Sequence, residues 1–208
     1  MSFTPTFDAL AANASDHDAE RRNMVLLTVA VAGAATAAVA VPFISSFSPS
    51  ERALASGAAV EADISDLALG AMKTVEWRGK PVWIVRRTPE VLADMLTLDS
   101  QLVDPQSKVA SQQPVYAQNA TRSIKPEYLV AVGICTHLGC SPGAVPKGSG
   151  NPSVGDDWKG GFFCPCHGST FDSAGRVFKN KPAPTNLEIP PHKYLSDGRV
   201  LIGEDDIA

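Results

Sequence analysis

Every cysteine in this chain lies between Cys135 and His167, and two of its four histidines share that stretch. They form two short loops, Cys135-Thr136-His137-Leu138-Gly139-Cys140 and Cys164-Pro165-Cys166-His167-Gly168-Ser169. Each loop offers a thiol and an imidazole at close spacing, C-x-H in one and C-x-x-H in the other, with a further Cys beside them. Gly139 and Gly168 let the backbone turn tightly around a bound centre, and Pro165 stiffens its loop. A fold that serves this sequence has to bring two loops distant in the chain to one place.

Three chemistries compete for such a set. Structural zinc normally pairs like ligands, as C-x2-C with H-x3-H, whereas each loop here mixes one of each and two cysteines would be left over. Two disulfides in an exported domain would use all four thiols but leave His137 and His167 without a purpose. A two-iron two-sulfur cluster with mixed ligands is the third reading. It takes Cys135, His137, Cys164 and His167, and leaves Cys140 and Cys166 to bridge the loops.

The rest of the chain limits where this site sits. From Asn23 to Ser50 there is no charged residue, and Met24–Ile44 is dominated by Val, Leu and Ala. As a helix that core spans about 31 Å, close to one bilayer core. The reading is a polar N-terminal tail over 1–22, a membrane helix over 23–45, a small-residue linker over 46–66 and a β-rich domain over 67–208. An uncleaved anchor is favoured over a cleaved signal, although Arg21-Arg22 resembles a twin-arginine signal and Ala38-Val39-Ala40 a peptidase site. The arginine pair then stays in the cytoplasm and the domain is exported. A net charge of −4 argues against a nucleic-acid partner.

Within the domain, Met72–Trp77 and Pro81–Arg87 read as a hairpin about Arg78-Gly79-Lys80. Thr88-Pro89-Glu90 opens a short helix through Met95, with Thr88 as N-cap. Residues 99–127 are polar and irregular, which predicts a surface insertion. Glu127–Ile134 is a buried strand leading into Cys135, and a second hairpin surrounds Ser196-Asp197-Gly198. His17 and His192 match no motif and read as ordinary histidines.

The boxes CTHLGC and CPCHGS resemble the two cluster-binding boxes of Rieske iron–sulfur proteins, and the extra cysteines and anchor resemble the subunit found in cytochrome bc complexes. The Trp77-Arg78-Gly79-Lys80-Pro81 hairpin and the Lys181-Pro182-Ala183-Pro184 loop extend the resemblance over most of the chain. It implies an all-β fold: an antiparallel β-sandwich with a small cluster-binding subdomain at about 130–187, preceded by a single membrane helix. It also implies one Rieske 2Fe-2S cluster, with Cys135 and Cys164 on one iron and His137 and His167 on the other. Cys140 and Cys166 would form a disulfide, Ser169 would donate to a cluster sulfide, and Leu138 would shield the cluster.

Function follows as an expectation of the same resemblance. Neutral imidazole ligands raise the potential to about −150 to +300 mV, against about −400 mV for all-Cys plant-type ferredoxins. The subunit would take an electron from ubiquinol, with His167 as the quinol hydrogen-bond partner and proton acceptor. It would pass the electron to a c-type cytochrome within a dimeric complex that also holds cytochrome b. The expected location is a bacterial inner membrane with the head on the periplasmic side. The competing reading is a periplasmic Rieske carrier or the small subunit of an arsenite-oxidase-like enzyme. Two departures stand out: Phe171 replaces the family's tyrosine, and Lys181 replaces the glycine that usually opens the proline loop.

Overall fold

The computed structural model describes residues 7–50 and 57–205, with side chains described from residue 17 onward. The chain divides into two compact units, Met1–Ala53 and Leu54–Ala208.

In the first unit a single helix, α1, runs from Phe7 to Ser45. It begins well before Asn23, so from Phe7 onward the expected polar tail is helical. Phe7–Arg22 is rich in Ala and free of Gly and Pro, so continuing the helix through it costs little. The stretch His17–Ser45 is apolar enough to cross a membrane, with a mean hydropathy of 2.3 in its most apolar window and none of that window buried against protein. Met24, Leu26, Val29, Val41 and Phe43 are all exposed, so α1 presents apolar side chains on every side. A helix of that kind is stable in lipid. Its threonines are satisfied internally: the Thr28 and Thr36 hydroxyls donate to the carbonyls of Met24 and Ala32, each at 2.8 Å.

Among the described residues, the second unit holds nine short strands in three antiparallel sheets. Strands β2 (Met72–Trp77), β3 (Lys80–Arg86) and β4 (Tyr128–Val132) form the middle sheet in that order. Arg78 and Gly79 both have positive φ, the conformation a two-residue hairpin turn needs, which pairs Trp77 with Lys80. Lys80 therefore belongs to β3 rather than to the turn. The helix α2 (Pro89–Met95) follows, and the Thr88 side chain caps it by accepting from the Val91 N–H at 3.3 Å.

Both faces of the middle sheet are covered, because alternate residues of β3 and β4 serve two separate cores. Val82, Ile84, Val130 and Val132 pack with Ala62, Ile64, Val200 and Ile202. Trp83, Leu129 and Ala131 pack on the other side with Phe162, Phe171, Cys135 and Cys164. A strand buried on both faces carries an unbroken apolar run, as Tyr128–Val132 does. On the first side lies the sheet of β1 (Val60–Asp63), β9 (Arg199–Ile202) and β8 (His192–Ser196). On the second lies the sheet of β5 (Gly143–Val145), β6 (Gly161–Phe163) and β7 (Thr170–Asp172).

Two expectations need correction. Val60–Asp63, read as linker, is a strand paired with Arg199–Ile202, and Ala62 is buried. Alternation in so short a strand is hard to see beside an Ala/Ser-rich run. Of the expected neck, residues 51–56 lie outside the described residues. The segment 99–127 is not a surface insertion: it makes three 3-10 turns and buries Leu102, Ser107, Ala117 and Arg122 completely or almost so. The Arg122 guanidinium donates to the carbonyls of Ala174, Gly175 and Gln112 and to the Gln113 side chain, at 3.0–3.3 Å. Two of these acceptors lie some fifty residues away in sequence, and no local pattern reveals them.

Candidate metal centre

The two cysteine–histidine loops fold into the same turn. In the first, the Cys135 N–H donates to the Cys140 carbonyl (2.7 Å) and the Gly139 N–H to the Cys135 carbonyl (3.0 Å). In the second, Cys164 N–H donates to Ser169 (2.8 Å) and Gly168 N–H to Cys164 (3.0 Å). The fifth residue of each loop is the glycine, at φ +84° for Gly139 and +77° for Gly168. A side chain there would strain the turn. Strand β4 delivers the first loop through Gly133-Ile134, and the β6–β7 hairpin carries the second.

This shared turn sets the leading cysteine inward and the histidine outward in each loop. Cys135 and Cys164 are buried, unbridged, and part of one core with Trp83, Phe162 and Phe171. His137 and His167 meet at the surface, their rings edge to face with centroids 4.8 Å apart. His167 is exposed, and Leu138 beside the histidines is 71% exposed. Cys140 and Cys166 form a disulfide across the two loops. The Cys164 sulfur lies within 4.8 Å of both disulfide sulfurs. That trio is not a ligand set, because bridged sulfurs are no longer thiolates.

Burial pushes the Cys135 thiol pKa up, helped by the neighbouring Cys164, while bonds from the His137 backbone and the Ser169 hydroxyl oppose the rise. The Cys135 thiol is thus poorly suited to ionise without a cation beside it. The His137 Nδ1 is likewise buried without a hydrogen-bond partner. Two soft sulfur donors below and two imidazoles above, one with a buried unpartnered nitrogen, fit a mixed thiolate–imidazole iron–sulfur cluster.

The proline loop closes one side. Pro182 and Pro184 have no N–H, so Ala183 supplies the only donor of that tripeptide, and it donates to Ser169 Oγ at 3.0 Å. That leaves the buried Ser169 hydroxyl hydrogen free to point at Cys135. The Thr136 hydroxyl donates to the Thr185 carbonyl at 2.7 Å and ties the first loop to the same segment. The sequence reading missed Thr136 and Ala183. The lone N–H between two prolines is the signal that marks Ala183. All the expected site residues converge here, whereas His192 lies elsewhere, buried against Tyr116.

The fold and this paired-loop site define a Rieske-type iron–sulfur domain. In agreement, the Rieske 2Fe-2S domain family matches residues 58–191, and the ubiquinol–cytochrome c reductase Fe-S subunit TAT signal family matches residues 11–50. The iron–sulfur subunit of ubiquinol–cytochrome c reductase from Allochromatium vinosum is 61% identical over 186 residues, 89% of each chain. The subunit of that name from Bradyrhizobium diazoefficiens is 39% identical, over 92% of this chain and 98% of its own. A chain of a solved hyperthermophilic respiratory Complex III aligns with 84% of this chain and 97% of its own, at 24% identity and a TM-score of 0.45. This chain belongs to the family of Rieske iron–sulfur subunits of ubiquinol–cytochrome c reductase. It is a membrane-anchored member carrying a 2Fe-2S domain.

Proposed function

We propose that this chain is the electron-transfer subunit of a quinol–cytochrome c oxidoreductase, accepting an electron and a proton from ubiquinol and delivering the electron to a c-type cytochrome beside cytochrome b. The observation that carries the reading is the pair of imidazoles in ring contact, borne by the same two loops as the two buried, unbridged thiols. Cys135 and Cys164 would hold one iron, and His137 and His167 the other. When bound, the cluster supplies a one-electron acceptor of higher potential than an all-cysteine centre.

The chain's own residues do the rest. His167, the more exposed imidazole, hydrogen-bonds the quinol hydroxyl and holds the transferred proton on its outer ring nitrogen. Leu138 covers the site beside it and excludes water. Ser169, fixed by the Ala183 N–H, donates toward the sulfur ligands, and the Cys140–Cys166 disulfide keeps the two loops together. Helix α1 anchors the protein in a bacterial inner membrane with Arg21-Arg22 inside and the head on the periplasmic side. The subunit would act within a dimeric complex that also holds cytochrome b and the c-type cytochrome.

Single substitutions in the membrane-purified complex test this reading. His137→Ala and His167→Ala should each abolish the low-temperature EPR signal of the reduced cluster and quinol-dependent cytochrome reduction. A full signal in either variant would remove that ligand, and cytochrome reduction that persists without the signal would remove the function.

A further inference from the structure

The departure at Lys181 places a charge where it has a structural neighbourhood. A cleft of about 430 Å³ opens beside the second ligand loop, with Trp158 and Phe178 among its apolar lining residues. Trp158 is held in place by donating its Nε1–H to the Val145 carbonyl at 2.8 Å and by packing on Phe178, ring centroids 5.6 Å apart. Lys159, Lys179 and Lys181 reach the same cleft from two segments, and Asp157 is the one carboxylate on its lining. Asn180, at φ +58°, turns the chain between the last two lysines. Asn tolerates this left-handed conformation better than most side chains.

These lysines differ from several others on the domain. Lys80 pairs with Glu188, Lys125 with Asp197, and Lys147 with Glu90 and Asp94. Lys179 Nζ donates only to a carbonyl, that of Ser100, at 2.8 Å. Lys159 and Lys181 have no carboxylate partner among the described residues. In a chain of net charge −4, this cleft keeps a local excess of positive charge.

Its position connects it to the site. Thr170 on the cleft wall directly follows Ser169, and Lys181 stands two residues before Ala183, whose N–H holds Ser169. An object held in the cleft therefore lies against the flank of the loop that carries His167. Lys179 and Lys181 are exposed and Lys159 is half-buried, and no buried charged group converges on one point between them, so the cleft suits a broad charged surface better than a small anion.

We propose that this cleft is an electrostatic docking site for a carboxylate-rich face of the c-type cytochrome acceptor, which it draws to the flank of the His167 loop. The inference rests on the function proposed above and deepens it. Complementary charge acts mainly on encounter and orientation, and its signature is a rate that falls as salt rises. Quinol is uncharged, so its reaction with the protein does not use these lysines.

The test uses the full-length, detergent-purified, cluster-loaded protein, chemically reduced so that quinol is not involved. It is mixed in a stopped-flow instrument with an acidic c-type cytochrome or with a lysine-rich one of similar potential. Wild-type protein should reduce the acidic cytochrome faster, with a rate that declines as salt is added. Lys159→Glu/Lys181→Glu should slow that reaction by about tenfold at low ionic strength and reverse the preference. Lys159→Gln/Lys181→Gln should lie between, with the EPR signal intact in both variants. An unchanged rate and salt slope in the Glu variant, or a wild-type preference for the basic cytochrome, would overturn the docking site. In the separate test above, quinol-dependent cytochrome reduction that persists without the EPR signal would count against the proposed function instead.

Discussion

The Arg176 Nε donates to Asp172 Oδ2 at 2.8 Å, and neither side chain has any solvent exposure. Asp172 ends β7, and its other oxygen accepts from the backbone N–H groups of Ala174 and Arg176 at 2.9 and 2.8 Å. Arg176 also donates to Asp99 Oδ1 and to the carbonyls of Met95 and Pro105. One guanidinium thus ties the sheet that carries the second ligand loop to the end of α2 and the segment beyond it. Because Val177 packs in the same core as Cys135 and Cys164, this tie lies one layer behind the thiols.

Removing the carboxylate should therefore be costly. Asp172→Ala leaves the buried guanidinium with only the partly exposed Asp99 as counter-charge, and breaking a buried pair costs about 3–5 kcal/mol. Denaturant unfolding of the soluble head should show a loss of that size. A loss below about 1 kcal/mol would mean that Asp99 and the carbonyls carry the guanidinium unaided.

The contrast between what the sequence displays and what it hides follows from how local each constraint is. The ligand loops are legible because each is a six-residue turn that carries its donors and its own glycine. The Arg78-Gly79 hairpin and the Thr88-Pro89 helix start are legible for the same reason: partner and signal lie within four residues. Arg122 and Arg176 are not, since each needs acceptors from distant segments besides its near ones, and a buried arginine has the same letter as an exposed one. The start of α1 at Phe7 was missed because hydropathy marks where lipid begins, not where a helix does. The strand β1 was missed because its pairing partner is Arg199–Ile202, at the far end of the chain.

Cys140 and Cys166 lie 26 residues apart in sequence, and their bridge closes one loop over the other. Cys140→Ser should leave all four proposed ligands in place, so the cluster should still assemble. Losing a cross-link that closes a loop of this length costs about 3.5 kcal/mol in the chain-entropy treatment. The variant should keep its EPR signal when freshly purified and lose it at a lower temperature than wild type. Free alkylation of both thiols in the folded wild-type protein would contradict the bridge.

Phe171 is fully buried in the core that holds Cys135 and Cys164, opposite Phe162 in the β6–β7 pairing. A tyrosine here would bring a hydroxyl able to donate to a ligand sulfur, which favours the more negative, reduced state. If that bond differs by about 1.4 kcal/mol between oxidation states, a one-electron potential moves by about 59 mV. Phe171→Tyr should then raise the midpoint potential by tens of millivolts in voltammetry near pH 7. No change, or a fall, would mean that position 171 serves packing alone.

His192 gives the head a dependence on pH that is separate from the metal centre. Its ring is almost wholly buried, with Nδ1 facing the Pro190 carbonyl at 2.9 Å and Nε2 without a partner. The backbone around it is clamped by the Tyr116 hydroxyl, which accepts from the His192 N–H at 2.8 Å and donates to its carbonyl at 3.0 Å. Burial lowers its pKa, only partly offset by the Pro190 carbonyl and the Asp205 charge. Above about pH 6.5 the imidazole is neutral both folded and unfolded, so its contribution to stability is complete. As pH falls below that value the unfolded chain binds a proton that the folded chain refuses, and stability drops until the lowered folded pKa is passed. Thermal unfolding of the head between about pH 7.5 and pH 5 should therefore show a falling Tm. His192→Asn keeps a donor for Pro190 but cannot titrate, so its Tm should fall less over the same range. Equal pH slopes in the two proteins would show that His192 does not set this dependence.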